Sequence, residues 1–334
     1  MLYSDYNFNE KTILITGGAG FIGSNLAFYF QNNFPDSNII IFDCFRNESS
    51  FNNGNLQSFG HFENLIGFEG TVICGNINNQ QDLKLLLNYK FDFIFHHAAI
   101  SDTRIYDQEI VMRTNVNSFY DILNLAKKNQ SVLVYASSAA TYGSLPPPQK
   151  VGKESPENPY GYSKYVMDQL AQKYSEQNPN LKITGLRFFN VYGPREFFKA
   201  STSSMVIQLA HQILDGKAPR LFKNSSNIFR DFIYIDDVIQ ANIKACNPKK
   251  NGTYNVGTGI SRSFQEIADI LQDELNTSLR TEYFNNPFNG YQTNTKSDIT
   301  STIKNLDFNP QFTLEAGIKA YLPEILRLYS ANKL

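Results

Sequence analysis

The stretch ILITGGAGFIG, residues 13–23, decides how the rest of the chain is read. Its apolar run Ile13-Leu14-Ile15 leads into glycines at 17, 20 and 23, and an amphipathic segment continues over 21–30. A buried strand, a tight turn and a helix start, in that order, form the phosphate-binding unit of a dinucleotide site. Gly17 permits turn dihedrals that a Cβ penalises. Gly20 lets the backbone approach a pyrophosphate, whose charge then rests on the free N–H groups and positive dipole end of the helix. Gly23 lets that helix press against the strand. Further on, the apolar run IIIF at 39–42 ends in Asp43, where a carboxylate reaches the adenosine ribose.

Outward from this unit, strand signals alternate with helix-length segments through the first half of the chain: 71–74, 91–95, 132–135 and 183–189, with a helical stretch over 106–127. That alternation predicts an α/β protein with a doubly wound parallel sheet, the Rossmann arrangement. The polar, Asn- and Gly-rich segment 49–60 reads as a surface loop. Leu145-Pro146-Pro147-Pro148 excludes helix or central strand and marks a loop near a strand's carboxyl end. After Asn190 the alternation loosens. Gly193-Pro194, Ala218-Pro219 and Asn286-Pro287 cut the chain into short pieces, as a smaller α/β substrate lobe would require. The predicted division gives 1–189 and 231–256 to the dinucleotide, and 190–230 and 257–334 mainly to the substrate.

Composition narrows the function. Hydrophobic residues make up 42% and charged residues 18%, the balance of a globular protein. Thirty basic against 31 acidic residues leave no field to attract nucleic acid or an anionic membrane. The first twelve residues lack the basic start and apolar core of a secretion signal, and no apolar run approaches the ~20 residues that span a bilayer. Cys44, Cys74 and Cys246 are odd in number and scattered, which fits a reducing compartment. A soluble, cytoplasmic protein is expected, with no membrane and no nucleic acid as partner. Its histidines and cysteines show no metal-ligand spacing; His61 and His211 stand alone, and no metal is expected.

In NPYGYSK, Tyr160 and Lys164 are four apart. Asn158 can cap a helix and Pro159 suits its first turn, so both side chains share one helical face. A cation beside the phenol favours phenolate, which is expected to lower the Tyr160 pKa from its usual ~10 toward that of a useful base. The same spacing recurs at Tyr329 and Lys333 near the C-terminal end, so context separates the two pairs. Tyr160 follows the strand 132–135, which opens into Ala136-Ser137-Ser138, and a hydroxyl there can hold a substrate oxygen. The alternative is a surface pair on an amphipathic helix.

With these features, and with TYG at 141–143, FFNVYGPREFFK from Phe188, LFKNS from Leu221, RDFIYIDDV from Arg230 and YNVGTG from Tyr254, the chain resembles the extended short-chain dehydrogenase/reductase superfamily. Within it, the chain is similar to the ADP-heptose 6-epimerases over essentially its whole length. The resemblance implies interconversion of ADP-D-glycero- and ADP-L-glycero-β-D-manno-heptose by oxidation to a ketone and re-reduction, for lipopolysaccharide inner core. It implies Tyr160, Lys164 and Ser138 as catalytic residues, and Lys199 as a second acid/base on the opposite side; a solvated loop lysine is the alternative. Cofactor contacts are implied at Gly17, Gly20, Phe21, Ile22, Gly23, Asp43, Cys44, Arg46, Asn76, Ile77, His97, Ala98, Ala99, Ser101, Asn115, Lys164, Val191 and Lys199. Substrate contacts are implied at Ser138, Asn190, Ser201, Gln208, Phe222, Lys223, Asn224, Ser225, Arg230 and Tyr291; Gln208 departs from the histidine of the family pattern. Arg230 matches a diphosphate bidentately, the alternative being an ion pair with Asp231 or another acid. Core packing is the alternative for Phe222 and Tyr291. At His96-His97 the turn beneath the cofactor implies backbone and Ser101 contacts rather than imidazole chemistry. Asp43 alone favours NAD, whereas Arg46 could neutralise a 2′-phosphate; NADP is the expectation, with NAD left open. A homo-oligomer, a pentamer among its forms, is also implied. The rival functions are a UDP-hexose 4-epimerase or other nucleotide-sugar epimerase, a 4,6-dehydratase, and a non-enzymatic dinucleotide sensor.

Overall fold

The structure, a computed structural model, describes residues 2–3, 6–286 and 293–331. Twelve strands are named in chain order. They are β1 (Thr12–Thr16), β2 (Asn38–Asp43), β3 (Thr71–Cys74), β4 (Phe93–His96), β5 (Val132–Ser138), β6 (Ile183–Phe188), β7 (Asn190–Tyr192), β8 (Arg220–Phe222), β9 (Phe229–Tyr234), β10 (Gly252–Val256), β11 (Ser261–Ser263) and β12 (Glu282–Phe284). Seven form one parallel sheet in the order β10-β6-β5-β4-β1-β2-β3. The order reverses beside β1: β2 and β3 extend one way, and β4 then pairs on the other flank, Ile13 opposite both Ile39 and Phe93. At such a reversal the two flanking loops part, leaving a crevice at the carboxyl ends of the strands.

Strand side chains alternate between faces, so the run Ile13-Leu14-Ile15 feeds two cores. Ile13 and Ile15 pack with Leu26, Phe30, Val134 and Val238 on one face. Leu14 packs with Ile40, Ile94, Phe119, Leu133 and Met167 on the other. Helices Phe21–Asn33 and Ile235–Lys244 supply the first layer, and Ser118–Asn129 and Pro159–Gln177 the second. The continuous apolar strands are what a sheet covered on both faces needs.

Two findings refine the sequence reading. The stretch 106–127 is not one helix: Gln108–Met112 passes through a π-turn, Arg113–Asn117, before Ser118–Asn129 resumes the α-helix. After β6 the chain leaves the large sheet. β7 joins a three-stranded sheet ordered β11-β9-β7, and β8 pairs with β12. Residues 231–234, assigned from sequence to the dinucleotide part, lie in β9 of that small sheet, whereas β10 returns to the large one. β7 therefore carries Asn190 and Val191 straight from the large sheet to the mouth of the crevice.

Candidate active site

The crevice opens into a cleft of about 670 Å³. Its floor is the glycine turn. Gly17 has φ +70°, and a Cβ built on it would lie 2.7 Å from the Ala98 amide nitrogen. A Cβ on Gly23 would lie 2.3 Å from the Gly17 carbonyl oxygen, so only glycine lets the helix Phe21–Asn33 seat against the turn. That helix starts at Gly20 with no side-chain cap, which leaves its first N–H groups facing an anion's position. These are the features a dinucleotide pyrophosphate requires, and the residues fit the group.

Asp43 ends β2 as expected and lines the cleft. Its two oxygens accept from the Ala19 and Phe45 amides, at 2.9 and 2.8 Å. The carboxylate thus braces the glycine turn, and each oxygen keeps a second acceptor site for a ribose hydroxyl. Burial pushes its pKa up.

One wall is built by β5 and the helix Pro159–Gln177. Asn158 caps that helix by accepting from the Gly161 amide at 2.8 Å, with proline in its first turn. Ser138 ends β5, and its hydroxyl accepts from the Ala140 amide at 3.1 Å. Tyr160 is buried, and burial raises its pKa above 10, offset in part by a hydrogen bond with Ser138. This corrects the expectation that Lys164 lowers it. The Lys164 Nζ donates to the Ala136 carbonyl at 2.7 Å and lies 5.9 Å from the Tyr160 ring centroid, and burial pushes the ammonium itself down to about 8. Desolvation outweighs the Ser138 hydrogen bond at Tyr160 and the Asp168 carboxylate at Lys164.

Behind this pair lies a buried polar network that sequence reasoning missed. Asp168, one turn after Lys164, accepts from Tyr135, Ser137 and Arg187 at 2.8–3.0 Å. Arg187 also binds Glu154 at 2.6 Å and the Tyr142 hydroxyl at 2.9 Å. The i+4 spacing of Asp168 from Lys164 was visible; that Arg187 on β6 would meet it was not.

Lys199 lines the same cleft from a short 3₁₀ stretch, Phe197–Thr202. It is partly buried, with Nζ 5.5 Å from the Phe21 ring centroid. Burial lowers its pKa, opposed by Glu196 and Asp102. So a phenol and an amine face one cleft above the same helix start.

The cleft also gathers Ile22, Cys44, Asn76, Ile77, His97, Ala98, Ala99, Ser101, Asn190, Val191 and Arg230. Arg230 is buried, donates to the Phe229 carbonyl at 2.8 Å and stands 5.7 Å from the Phe264 ring. Its sequence neighbour Asp231 accepts from Thr258, Gly259 and Ser297. Other proposed residues lie outside the lining. Asn115 is buried and grips both polar groups of Ile100 and the Ser163 hydroxyl, a brace between the 100 turn and the Tyr160 helix. Ser201 donates to Asn55 at 3.0 Å, and Gln208 to the Ser203 carbonyl at 2.7 Å. Phe222 meets Phe284 edge-on at 5.0 Å. Lys223 and Asn224 are exposed, whereas Ser225 is buried with its hydroxyl unpartnered. Tyr291 falls outside the described residues, as does Lys333. The segment 49–60 is the surface loop expected, and it also lines the cleft with Phe51 and residues 56–60. Arg46 reaches across it to donate to the Phe198 carbonyl, and His61 stacks on the Phe198 ring at 3.7 Å. Among the described residues no cluster of His, Cys, Asp or Glu could hold a metal ion, and no helix is long and apolar enough to cross a membrane.

Comparison with known proteins places this geometry. The model of the NAD dependent epimerase/dehydratase family matches residues 13–257. The chain belongs to that family. This epimerase/dehydratase is 35% identical over 318 residues to the ADP-L-glycero-D-manno-heptose-6-epimerase of Brachyspira hyodysenteriae, covering 92% of this chain and 96% of the relative. Its structure is similar to that of the Helicobacter pylori ADP-L-glycero-D-manno-heptose-6-epimerase, at 47% identity and TM-score 0.90, over 98% of this chain and 99% of the other. It is also similar to a UDP-glucuronic acid 4-epimerase from Bacillus cereus in complex with UDP-glucuronic acid and NAD, at 26% identity and TM-score 0.81, over 95% and 100%. The resemblance read in the motifs holds, and so does the Rossmann-like sheet.

Proposed function

We propose that the protein is an ADP-L-glycero-D-manno-heptose 6-epimerase, which interconverts the two C6 configurations of ADP-heptose for lipopolysaccharide inner core. The observation that supports the reading is that Tyr160, Ser138, Lys164 and Lys199 line one cleft. The relatives above support the substrate class.

A bound nicotinamide supplies the hydride acceptor and then the donor. The work of the chain's own residues is to hold the sugar and handle protons. Ser138 orients the C6 oxygen, and Tyr160 takes its proton as the alcohol becomes a ketone. Lys164, buried beside the phenol with its pKa brought down to about 8, can as the neutral amine accept the proton that Tyr160 has taken and so return it to the base form. Re-reduction from the other face would leave the oxygen pointing away from Tyr160, where Lys199 would protonate it. Arg230 serves the diphosphate, with Asn190 on the sugar side. Residues 1–189 and 231–256 hold the cofactor, and 190–230 with 257–334 the nucleotide sugar.

NADP is the proposed cofactor. Arg46 stands three residues beyond Asp43, and its guanidinium, with Nε unpartnered, is suited to a 2′-phosphate. The protein is read as a cytoplasmic homo-oligomer. The deciding experiment is incubation with ADP-D-glycero-D-manno-heptose without added reductant, with the product's C6 configuration read by NMR. A mixture of both configurations is expected. Activity confined to UDP-sugars would overturn the reading in favour of a 4-epimerase.

A further inference from the structure

The segment that carries Lys199, residues 193–204, is held in an unusual backbone shape. φ is +142° at Gly193, 72° at Arg195 and 49° at Ala200. Two non-glycine residues in the left-handed region flank the lysine, and such conformations persist only where the surroundings impose them. The imposing group is Glu196. It is 0% exposed, and one carboxylate oxygen accepts from the Gly193 amide at 3.2 Å and the Ser204 hydroxyl at 2.7 Å. The other accepts from the Ser204 amide at 2.6 Å. Its own carbonyl accepts from the Lys199 amide at 2.9 Å. One side chain therefore ties the first residue of the segment to the last.

We propose that Glu196 is a positioning residue for Lys199: its carboxylate clasps the two ends of the segment and stands as the counter-charge to the ammonium. The proposal rests on the reading of Lys199 as the second acid/base. Other charged and titratable groups meet here. Asp102 faces Lys199 but is already paired with Arg104 at 2.9 Å, the Tyr321 hydroxyl lies beside Glu196, and Arg46 is bonded to the Phe198 carbonyl. Of the two carboxylates near the lysine, Asp102 is committed to Arg104, whereas Glu196 is in no ion pair with a guanidinium among the described residues and is the larger influence holding the ammonium charged. Burial alone favours the neutral amine.

The test measures Lys199 directly. Competitive acetylation of the purified protein with acetic anhydride across pH, read by mass spectrometry, gives the titration midpoint of residue 199 whatever its catalytic role. In Glu196→Gln the midpoint is expected to fall by about one pH unit, the scale of losing a nearby opposite charge. Its kcat for ADP-heptose should fall at least about tenfold, as misplaced catalytic groups do, with the Kd for NADP unchanged. Glu196→Asp restores the charge on a shorter arm, so the midpoint should return toward wild type while kcat stays low. A Glu196→Gln protein with both midpoint and kcat unaltered would overturn the proposal. Should Glu196→Gln not fold, an unaltered kcat in Glu196→Asp would do the same. Undiminished epimerisation by Lys199→Ala would instead overturn the two-base reading, leaving the labelling result to decide the clasp alone.

Discussion

In the proposed mechanism Tyr160 and Lys199 each carry one proton transfer, so each should fail in its own way. General acid/base groups contribute about 10²–10⁴-fold. Tyr160→Phe and Lys199→Ala should each reduce epimerisation by about 10²-fold or more, with the Kd for NADP close to wild type because both leave the glycines that seat the pyrophosphate in place. Steady-state NMR assays and fluorescence titration check both numbers. Loss of cofactor binding in either variant would mean that the residue holds the dinucleotide rather than the reaction. Arg46 is tested by a difference between cofactors. If its guanidinium serves a 2′-phosphate, Arg46→Ala should weaken NADP binding by about tenfold or more, the worth of a charge-assisted contact, while NAD binding stays the same. Equal loss for both would assign the residue to its bond with the Phe198 carbonyl. The Tyr160 phenol shows where residue-level reading from sequence reaches its limit. A lysine four residues away is visible in NPYGYSK, but the burial that raises the phenol's pKa instead arises only in the folded packing around it.

At the scale of elements, the Tyr160 helix is set by its start. Asn158 accepts from the Gly161 amide and Pro159 occupies the first turn, so the helix phase that aims Tyr160 and Lys164 at Ser138 is fixed locally. Asn158→Ala should lower stability by about 1 kcal/mol in urea unfolding, with a modest drop in kcat as the first turn frays near Tyr160. An unchanged stability would place the control of that helix in Asn115, which holds Ser163. Such starts are legible because cap, proline and apolar spacing are all local. So were β1, β2, β4 and β5, whose apolar runs leave no other place to go. The segment 49–60 was not legible: its polar composition says loop, and nothing in it says that Asn55 would bind Asp102 and Ser201 or that His61 would stack on Phe198. The clasp at Glu196 was hidden for the same reason, since its partners Gly193 and Ser204 are joined through a backbone shape that propensity argues against. The π-turn at Arg113–Asn117 likewise keeps helical periodicity in sequence while displacing Asn115 onto Ile100 and Ser163.

At the scale of the whole molecule, two imidazoles stand at the carboxyl end of β4, His96 beside Phe119 of one core and His97 beside Phe188 of the other. His96 shares a hydrogen bond with Thr16 of β1 at 2.8 Å, and His97 packs against Phe188 of β6 with Asn242 facing it. Burial is the main cause that drives both below the usual 6.5, His97 to about 3, with Lys164 adding repulsion. The native state therefore keeps His97 neutral at a pH where the unfolded chain binds a proton. Its contribution to stability is complete above the unfolded pKa of about 6.5 and is lost as pH falls from there toward 3, because the unfolded state gains protons that the native state refuses. Between pH 7.5 and 5 one such group is worth about 2 kcal/mol. His97→Asn removes the titration while keeping a polar side chain of similar reach, so the fall in unfolding free energy across that range should be about 2 kcal/mol shallower than in the wild type. Urea melts at pH 7.5, 6.0 and 5.0 on both proteins measure it. Carboxylates such as Asp237, raised to about 6, act in the opposite direction in both proteins and cancel in the comparison. Parallel curves would show that the sheet opens at β4 to let His97 protonate before the molecule unfolds, and the carboxyl end of β4 would then be the weakest part of the fold rather than its anchor.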